Sequence, residues 1–205
     1  MSLRVGVLAS GAGTNLQAIL DRVHGREAEV VAVGSDKPNA HALARAGGAG
    51  VAARAFPAAE FADRPARDAA MAEWLAAQRV ELVVLAGYMQ LLSSGFLARF
   101  PQGVINVHPA LLPAFPGIRA VEQALEHGVK VFGVTVHFVD EGVDTGPIIA
   151  QRALALPDAA DAEQVRTALR PLEHELLTGA VQRIAAGAVR PDPVHPRRVL
   201  VTPAL

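Results

Sequence analysis

Short apolar runs recur along this chain, between stretches whose apolar residues fall every three or four positions. Leu3–Ala9 reads as a first strand, and Leu16–Val23 opens a helix behind Thr14 and Asn15, both helix N-cap types. Val30–Val33 reads as a second strand, followed by Ser35-Asp36-Lys37-Pro38-Asn39, a turn by composition. An Ala-rich helix around Ala40–Ala46 ends at Gly47-Gly48. Val51–Phe56 is a further short strand and Arg67–Gln78 a helix. Leu82–Ala86 and Val104–Val107 are continuously apolar, the pattern of strands buried on both faces of a parallel sheet. This alternation predicts an α/β fold with a doubly wound, mainly parallel sheet.

The second half changes character. Val131–Val139 and Pro147–Leu156 are extended stretches separated by the turn-rich run from Asp140 to Gly146, and they predict an antiparallel strand pair added to the sheet. Asp161–Ala186 reads as one long helix, interrupted or kinked at Pro171. The tail, residues 191–205 with Pro191, Pro193 and Pro196, is expected to be irregular, with Arg198–Thr202 an edge strand. The length of 205 residues suits a single domain.

Composition narrows the function classes. Apolar residues make up 51% of the chain, enough for a sizeable core. Nineteen Lys and Arg balance 20 Asp and Glu, which argues against bulk electrostatic binding to nucleic acid, since that needs a basic surface to displace counterions. No cysteine is present, which removes disulfides, thiolate nucleophiles and Cys-ligated metals, and fits a reducing compartment. No stretch reaches the roughly 20 apolar residues of a membrane span, and the N-terminal run lacks the basic region of an export signal. A cytoplasmic protein with no membrane or nucleic-acid partner, monomeric or weakly dimeric, is the expectation.

Four stretches could carry chemistry. Ser10-Gly11-Ala12-Gly13-Thr14-Asn15 lies between a predicted strand and helix, where backbone N–H groups and the helix N-terminus can hold an anion. Leu16 stands where a dinucleotide fingerprint needs its third glycine, and no P-loop lysine follows. A monophosphate cradle and a tight turn that binds nothing both remain open. Asn106 and His108 end the Val104–Val107 run two residues apart, so their side chains point the same way at a sheet's carboxyl edge. Asn106 can donate to an oxyanion and His108 can carry a proton near neutral pH. The other six histidines (24, 41, 127, 137, 174 and 195) show no comparable pattern. Leu111-Leu112-Pro113-Ala114-Phe115-Pro116-Gly117 is a stiff loop, either a surface crossover or a lid that excludes water. Asp144, on a turn between paired strands, is either a solvated acid or the carboxylate that orients His108 and raises its pKa.

Together these stretches resemble one family. Ser-Gly-x-Gly-Thr-Asn-Leu-Gln at 10–17, Leu-Ala-Gly-Tyr-Met at 85–89, Asn-Val-His-Pro-Ala-Leu-Leu-Pro at 106–113 and Asp-Thr-Gly-Pro-Ile at 144–148 fall in family order. The family is that of the folate-dependent phosphoribosylglycinamide formyltransferases, or glycinamide ribonucleotide transformylases. The resemblance covers the chain from about residue 3 to about residue 190. It implies a Rossmann-like formyltransferase fold, with a nucleotide-binding half over about 1–100 and a folate and catalytic half over about 101–190.

It implies catalysis by Asn106, His108 and Asp144, and acceptor binding by Gly11, Ala12, Gly13, Thr14, Asn15 and Glu173. Arg170, three residues before Glu173 on the same helical face, could help neutralise the phosphate. The cosubstrate would be 10-formyltetrahydrofolate, held by Arg64, Met89, Gln90, Leu91, Leu92, Asn106 and Val143, with no metal. Gln90, Ala110 and Ala114 depart from the family pattern, where a base, a serine and a base are common. These departures touch the grip on the folate tail and the phosphate, not the trio.

With no cysteine and no serine elbow, the expected route is direct attack of the acceptor amine on the formyl carbon. The near-neutral charge, with no basic C-terminal domain, disfavours formylation of a tRNA. Hydrolysis of formyl-folate is expected in chains that carry an added N-terminal regulatory domain.

Overall fold

The structure, a computed structural model, describes residues 2–195 and 197–202. The chain forms two compact units, one running up to Asn106 and one from Val107 onward.

In the first unit, strands and helices alternate: β1 (Leu3–Leu8), α1 (Thr14–Arg22), β2 (Ala28–Ser35), α2 (His41–Gly48), β3 (Ala52–Ala55), α3 (Arg64–Ala77), β4 (Leu82–Leu85) and α4 (Ser94–Arg99). β5 (Val104–His108) begins here and carries the chain into the second unit. The strands lie in the order β3-β2-β1-β4-β5, and each pairing is parallel. The order reverses between β1 and β4, so right-handed crossovers send the helices to both faces of the sheet. In keeping with this, α1 packs with α2, and α3 with α4. Val5, Val7, Leu8, Val33, Val83, Val84 and Ile105 are wholly buried, as strands covered on both faces must be. The reversal also leaves a crevice at the carboxyl ends of β1 and β4, the place where such sheets take ligands.

The second unit contains α5 (Ala120–Glu126), β6 (Val131–Phe138), β7 (Ile148–Ala155), α6 (Ala162–Ala185), β8 (Val189–Pro191) and β9 (Val199–Val201). β6 and β7 are antiparallel, and α6 covers them through Val165, Leu169, Leu177 and Val181. The fold is thus doubly wound, mainly parallel α/β, with an antiparallel pair in its C-terminal half.

Several local expectations need correction. Thr14 and Asn15 do not cap α1: they form its first turn, and the cap is Gly13 in the left-handed region. α2 ends at Gly48, at the glycine pair where its end is expected, and starts at His41. α3 begins at Arg64, because the Asp63 carboxylate accepts the Ala66 N–H and caps it there. α6 continues across Pro171 without a break in its helical assignment. In the tail, the strand expected at Arg198–Thr202 is present as β9, which pairs antiparallel with β8, while residues 196 and 203–205 lie outside the described residues. α4 and α5, of six and seven residues, are too short to leave a periodic signal and were not anticipated.

Candidate active site

The chain leaves β1 at Ser10 and enters the glycine loop. Gly13 has φ of 69°, and a Cβ there would lie 2.8 Å from the Cα and Cβ of Ala42 on α2. Glycine is therefore required at 13 on two counts, conformation and space. Gly11 is exposed, and a Cβ on it would meet nothing within 4 Å. No side chain caps α1, so the N–H groups of its first turn form a positive end suited to an anion. α2 holds the loop from behind. The Ala42 N–H donates to the Gly11 carbonyl at 3.1 Å, and Arg45 donates through Nε to the Ala12 carbonyl at 2.8 Å and through Nη1 to Gln17 Oε1 at 2.9 Å.

The segment after β4 lies at the same carboxyl edge. The Ser10 N–H donates to the Gly87 carbonyl at 3.1 Å, and Ser10 Oγ accepts the Met89 N–H at 2.9 Å. Met89 and Leu91 are 65% and 56% exposed, more than apolar side chains of their size usually are, and Gln90 is exposed beside a half-buried Leu92. Arg64, first residue of α3, points into solvent.

β5 delivers the next two residues. Asn106, half-buried, stands opposite Leu85 of β4. His108, two residues on, is 4% exposed and belongs to the second unit. Within that unit His108 Nε2 donates to the Phe115 carbonyl at 2.8 Å, and Nδ1 lies 3.3 Å from Asp144 Oδ2. The Gly117 N–H donates to the same carboxylate oxygen at 2.7 Å. The proline loop is thus fastened to both members of the pair.

The turn that places Asp144 is itself constrained. Asp140 Oδ1 accepts from the Gly142 N–H and the Thr145 hydroxyl, at 3.1 and 2.6 Å. Any Cβ at Gly146 would overlap the Phe138 carbonyl oxygen. Asp144 has φ of 53°, a left-handed conformation that Asp tolerates better than most residues. On its far side, His137 Nε2 lies 3.4 Å from Asp144 Oδ1, while His137 Nδ1 faces the Phe138 carbonyl at 2.7 Å. A register shift between Val136 and His137 sets this histidine at the turn.

The electrostatics follow from this geometry. Burial alone would raise the Asp144 pKa, but hydrogen bonds from His137 and the Gly117 N–H, with the charges of His108 and His137, hold it at about 2. All four ring nitrogens of the two histidines face oxygen atoms: the Phe115 and Phe138 carbonyls and the two oxygens of Asp144. The result is one carboxylate between two imidazoles, the first of them at the end of a parallel strand.

The sequence pattern of the formyl transferase family matches residues 3–181. This chain belongs to the formyl transferase family. The formyl transferase is 40% identical over 183 residues to a phosphoribosylglycinamide formyltransferase of Bacillus subtilis, covering 88% of this chain and 94% of that one. A Mycobacterium tuberculosis protein of the same name is 44% identical over 187 residues, covering 91% and 86%. The crystal structure of glycinamide ribonucleotide transformylase 1 from Symbiobacterium toebii aligns with a TM-score of 0.92 at 47% identity, covering 98% of this chain and 94% of that one.

The remaining anticipated residues of this formyl transferase are distributed as follows. Glycine-loop residues 11–15, Arg64 and Met89–Leu92 all belong to the first unit. Arg170 and Glu173 lie on α6 in the second, Arg170 exposed and Glu173 half-buried, and Val143 is 45% exposed beside Asp144. Two further residues stand at these places without a local signal in the sequence. His137 lies in an apolar strand seven residues before Asp144. Arg45 sits on a different element from the glycine loop that it grips. Among the described residues, no group of three or more His, Asp or Glu is placed to hold a metal ion.

Proposed function

We propose that this chain transfers the formyl group of 10-formyltetrahydrofolate to the primary amine of glycinamide ribonucleotide in the cytoplasm, a step of purine biosynthesis. The products are formylglycinamide ribonucleotide and tetrahydrofolate. The observation that carries this reading is the contact between His108, buried at the end of β5, and Asp144 of the β6–β7 turn, in a chain of the formyl transferase family.

The donor supplies an activated formyl carbon, and the chain supplies position and protons. The α1 N-terminus and residues Gly11 to Asn15 hold the acceptor phosphate, aided by Arg170, with Glu173 on the nucleotide. Met89, Gln90, Leu91 and Leu92 with Arg64 and Val143 hold the folate, whose flat ring suits exposed apolar side chains along an irregular backbone. Fixing both partners removes much of the entropic barrier to amine attack. Asn106 donates to the oxyanion as the new C–N bond to the amine forms; His108 takes the proton that the amine gives up and passes it to the folate nitrogen as the old C–N bond breaks. Asp144 holds the His108 ring and keeps its charge close to neutral balance. His108 Nε2 reaches the substrate when the Phe115 carbonyl gives way, so the proline loop guards the proton donor until a ligand displaces it.

One assay tests the reading. Purified protein with 10-formyltetrahydrofolate should release tetrahydrofolate only when glycinamide ribonucleotide is added. Release without the nucleotide would point to formyl-folate hydrolysis, and no release in either case would remove the proposal.

A further inference from the structure

Residues 86–93 have no regular secondary structure, yet they expose two large apolar side chains to solvent. Such a segment needs fastening from outside itself. Leu8 and Ser10 fasten its first half at Ala86, Gly87 and Met89, and Asp68 fastens its end: Asp68 Oδ2 accepts the Ser93 N–H at 2.8 Å. Asp68 is wholly buried on α3. A buried carboxylate persists only among donors, and Arg67, itself 3% exposed, provides them. Arg67 Nε and Nη2 lie 3.3 and 3.1 Å from Asp68 Oδ1. Adjacent residues on a helix do not share a face, so this pair forms because both side chains fold inward. The division is clear: Oδ1 takes the guanidinium and Oδ2 takes the segment.

The Ser93 bond is not needed to start α4. Ser93 Oγ already accepts the Phe96 N–H as an ordinary cap. What the Asp68 bond adds is a fixed C-terminal end for the segment before the helix.

We propose that Asp68 is a positioning residue for the formyl donor: by accepting the Ser93 N–H with an oxygen whose charge Arg67 balances, it sets the shape of Met89–Leu92 for a flat bicyclic ring. The inference rests on the formyl-folate reading of that segment. Asp68 touches no reacting atom and acts through the backbone at Ser93.

Two neutral double variants isolate the bond. Arg67→Met with Asp68→Asn keeps an amide oxygen for the Ser93 N–H, whereas Arg67→Met with Asp68→Leu does not, and neither leaves a charge stranded. Ser93→Pro removes the donor instead, at a φ of −74° that proline adopts, with Ser93→Ala as the control for the lost cap.

Loss of a hydrogen bond to a charged or strongly polar acceptor corresponds to about a tenfold effect. The Leu-containing double variant and Ser93→Pro should raise the KM for 10-formyltetrahydrofolate by about that factor. The KM for glycinamide ribonucleotide should stay within about twofold, and amide hydrogen exchange at 89–93 should quicken. The Asn-containing variant and Ser93→Ala should stay near the parent. Unchanged exchange, or equal rises in both KM values, would overturn the proposal. A parent protein that never saturates with 10-formyltetrahydrofolate would overturn the functional reading and this assignment with it. Faster exchange in that case would leave Asp68 a purely structural clamp.

Discussion

The glycine loop after β1 and the His108–Asp144 cluster after β5 both lie at strand ends, but they are built of different material. The loop is made of backbone. Its requirement is an absence, a missing Cβ at Gly13, and the groups proposed to hold the phosphate are peptide N–H groups that any sequence carries. The cluster is made of side chains: His108, His137 and Asp144 come from two strands and a turn, and the loop main chain at Phe115 and Gly117 fastens them. A backbone site fails when the chain cannot bend, whereas a side-chain cluster fails when one partner is removed and the rest are left charged.

The comparison breaks most widely at His108. A positioned proton donor contributes about 10²–10⁴-fold, so His108→Ala should lose that much kcat with both KM values little changed. Combined with Asp144→Asn it should lose scarcely more, because the pair acts as a unit. Losses that multiply would show that Asp144 serves only the turn.

Gly13→Ala is the corresponding injury to the loop. Left-handed strain plus overlap with Ala42 should cost about 2–4 kcal/mol of stability and raise the acceptor KM with the folate KM unmoved. Gly11→Ala, facing open space, should change stability by no more than about 0.5 kcal/mol. Equal behaviour of the two variants in urea unfolding would refute the distinction.

The pH dependence of the cluster is a finer test. Asp144 titrates at about 2 when folded, below its ordinary value of 3.8, so it stabilises the fold above pH 4 and that contribution is lost as pH falls from about 4 to 2. Parent protein should exceed Asp144→Asn by up to about 2 kcal/mol at pH 7, and the gap should close toward pH 2. A gap that is constant with pH would mean the carboxylate charge is not what holds the cluster.

The smallest effect is expected at Arg45. Arg45→Met should loosen the Ala12 carbonyl and raise the acceptor KM severalfold, at about 1 kcal/mol, while kcat stays near the parent value.

Much of this molecule can be read along the chain. Strands β1, β2, β4 and β5 announce themselves as short, largely apolar runs, because a strand covered on both faces has little polar side to show. The left-handed turn at Gly13 is a local backbone demand, and Asn106 and His108 share a direction because strand side chains alternate. All of these depend on neighbours within a few residues.

Tertiary structure decided the rest. Asp144 could have been a solvated turn residue on local grounds, and only its contact with His108, 36 residues earlier, makes it a partner. His137 faces the same carboxylate because of one shifted register between β6 and β7, which its own neighbours do not encode. Arg45 reaches the glycine loop from α2, and Asp68 reaches Ser93 from α3, across gaps in sequence that no periodicity spans. The reason is common to all four: periodicity records which face of an element is buried, but which polar groups meet there depends on how separate elements pack, and a polar group commits to a partner only once water has left.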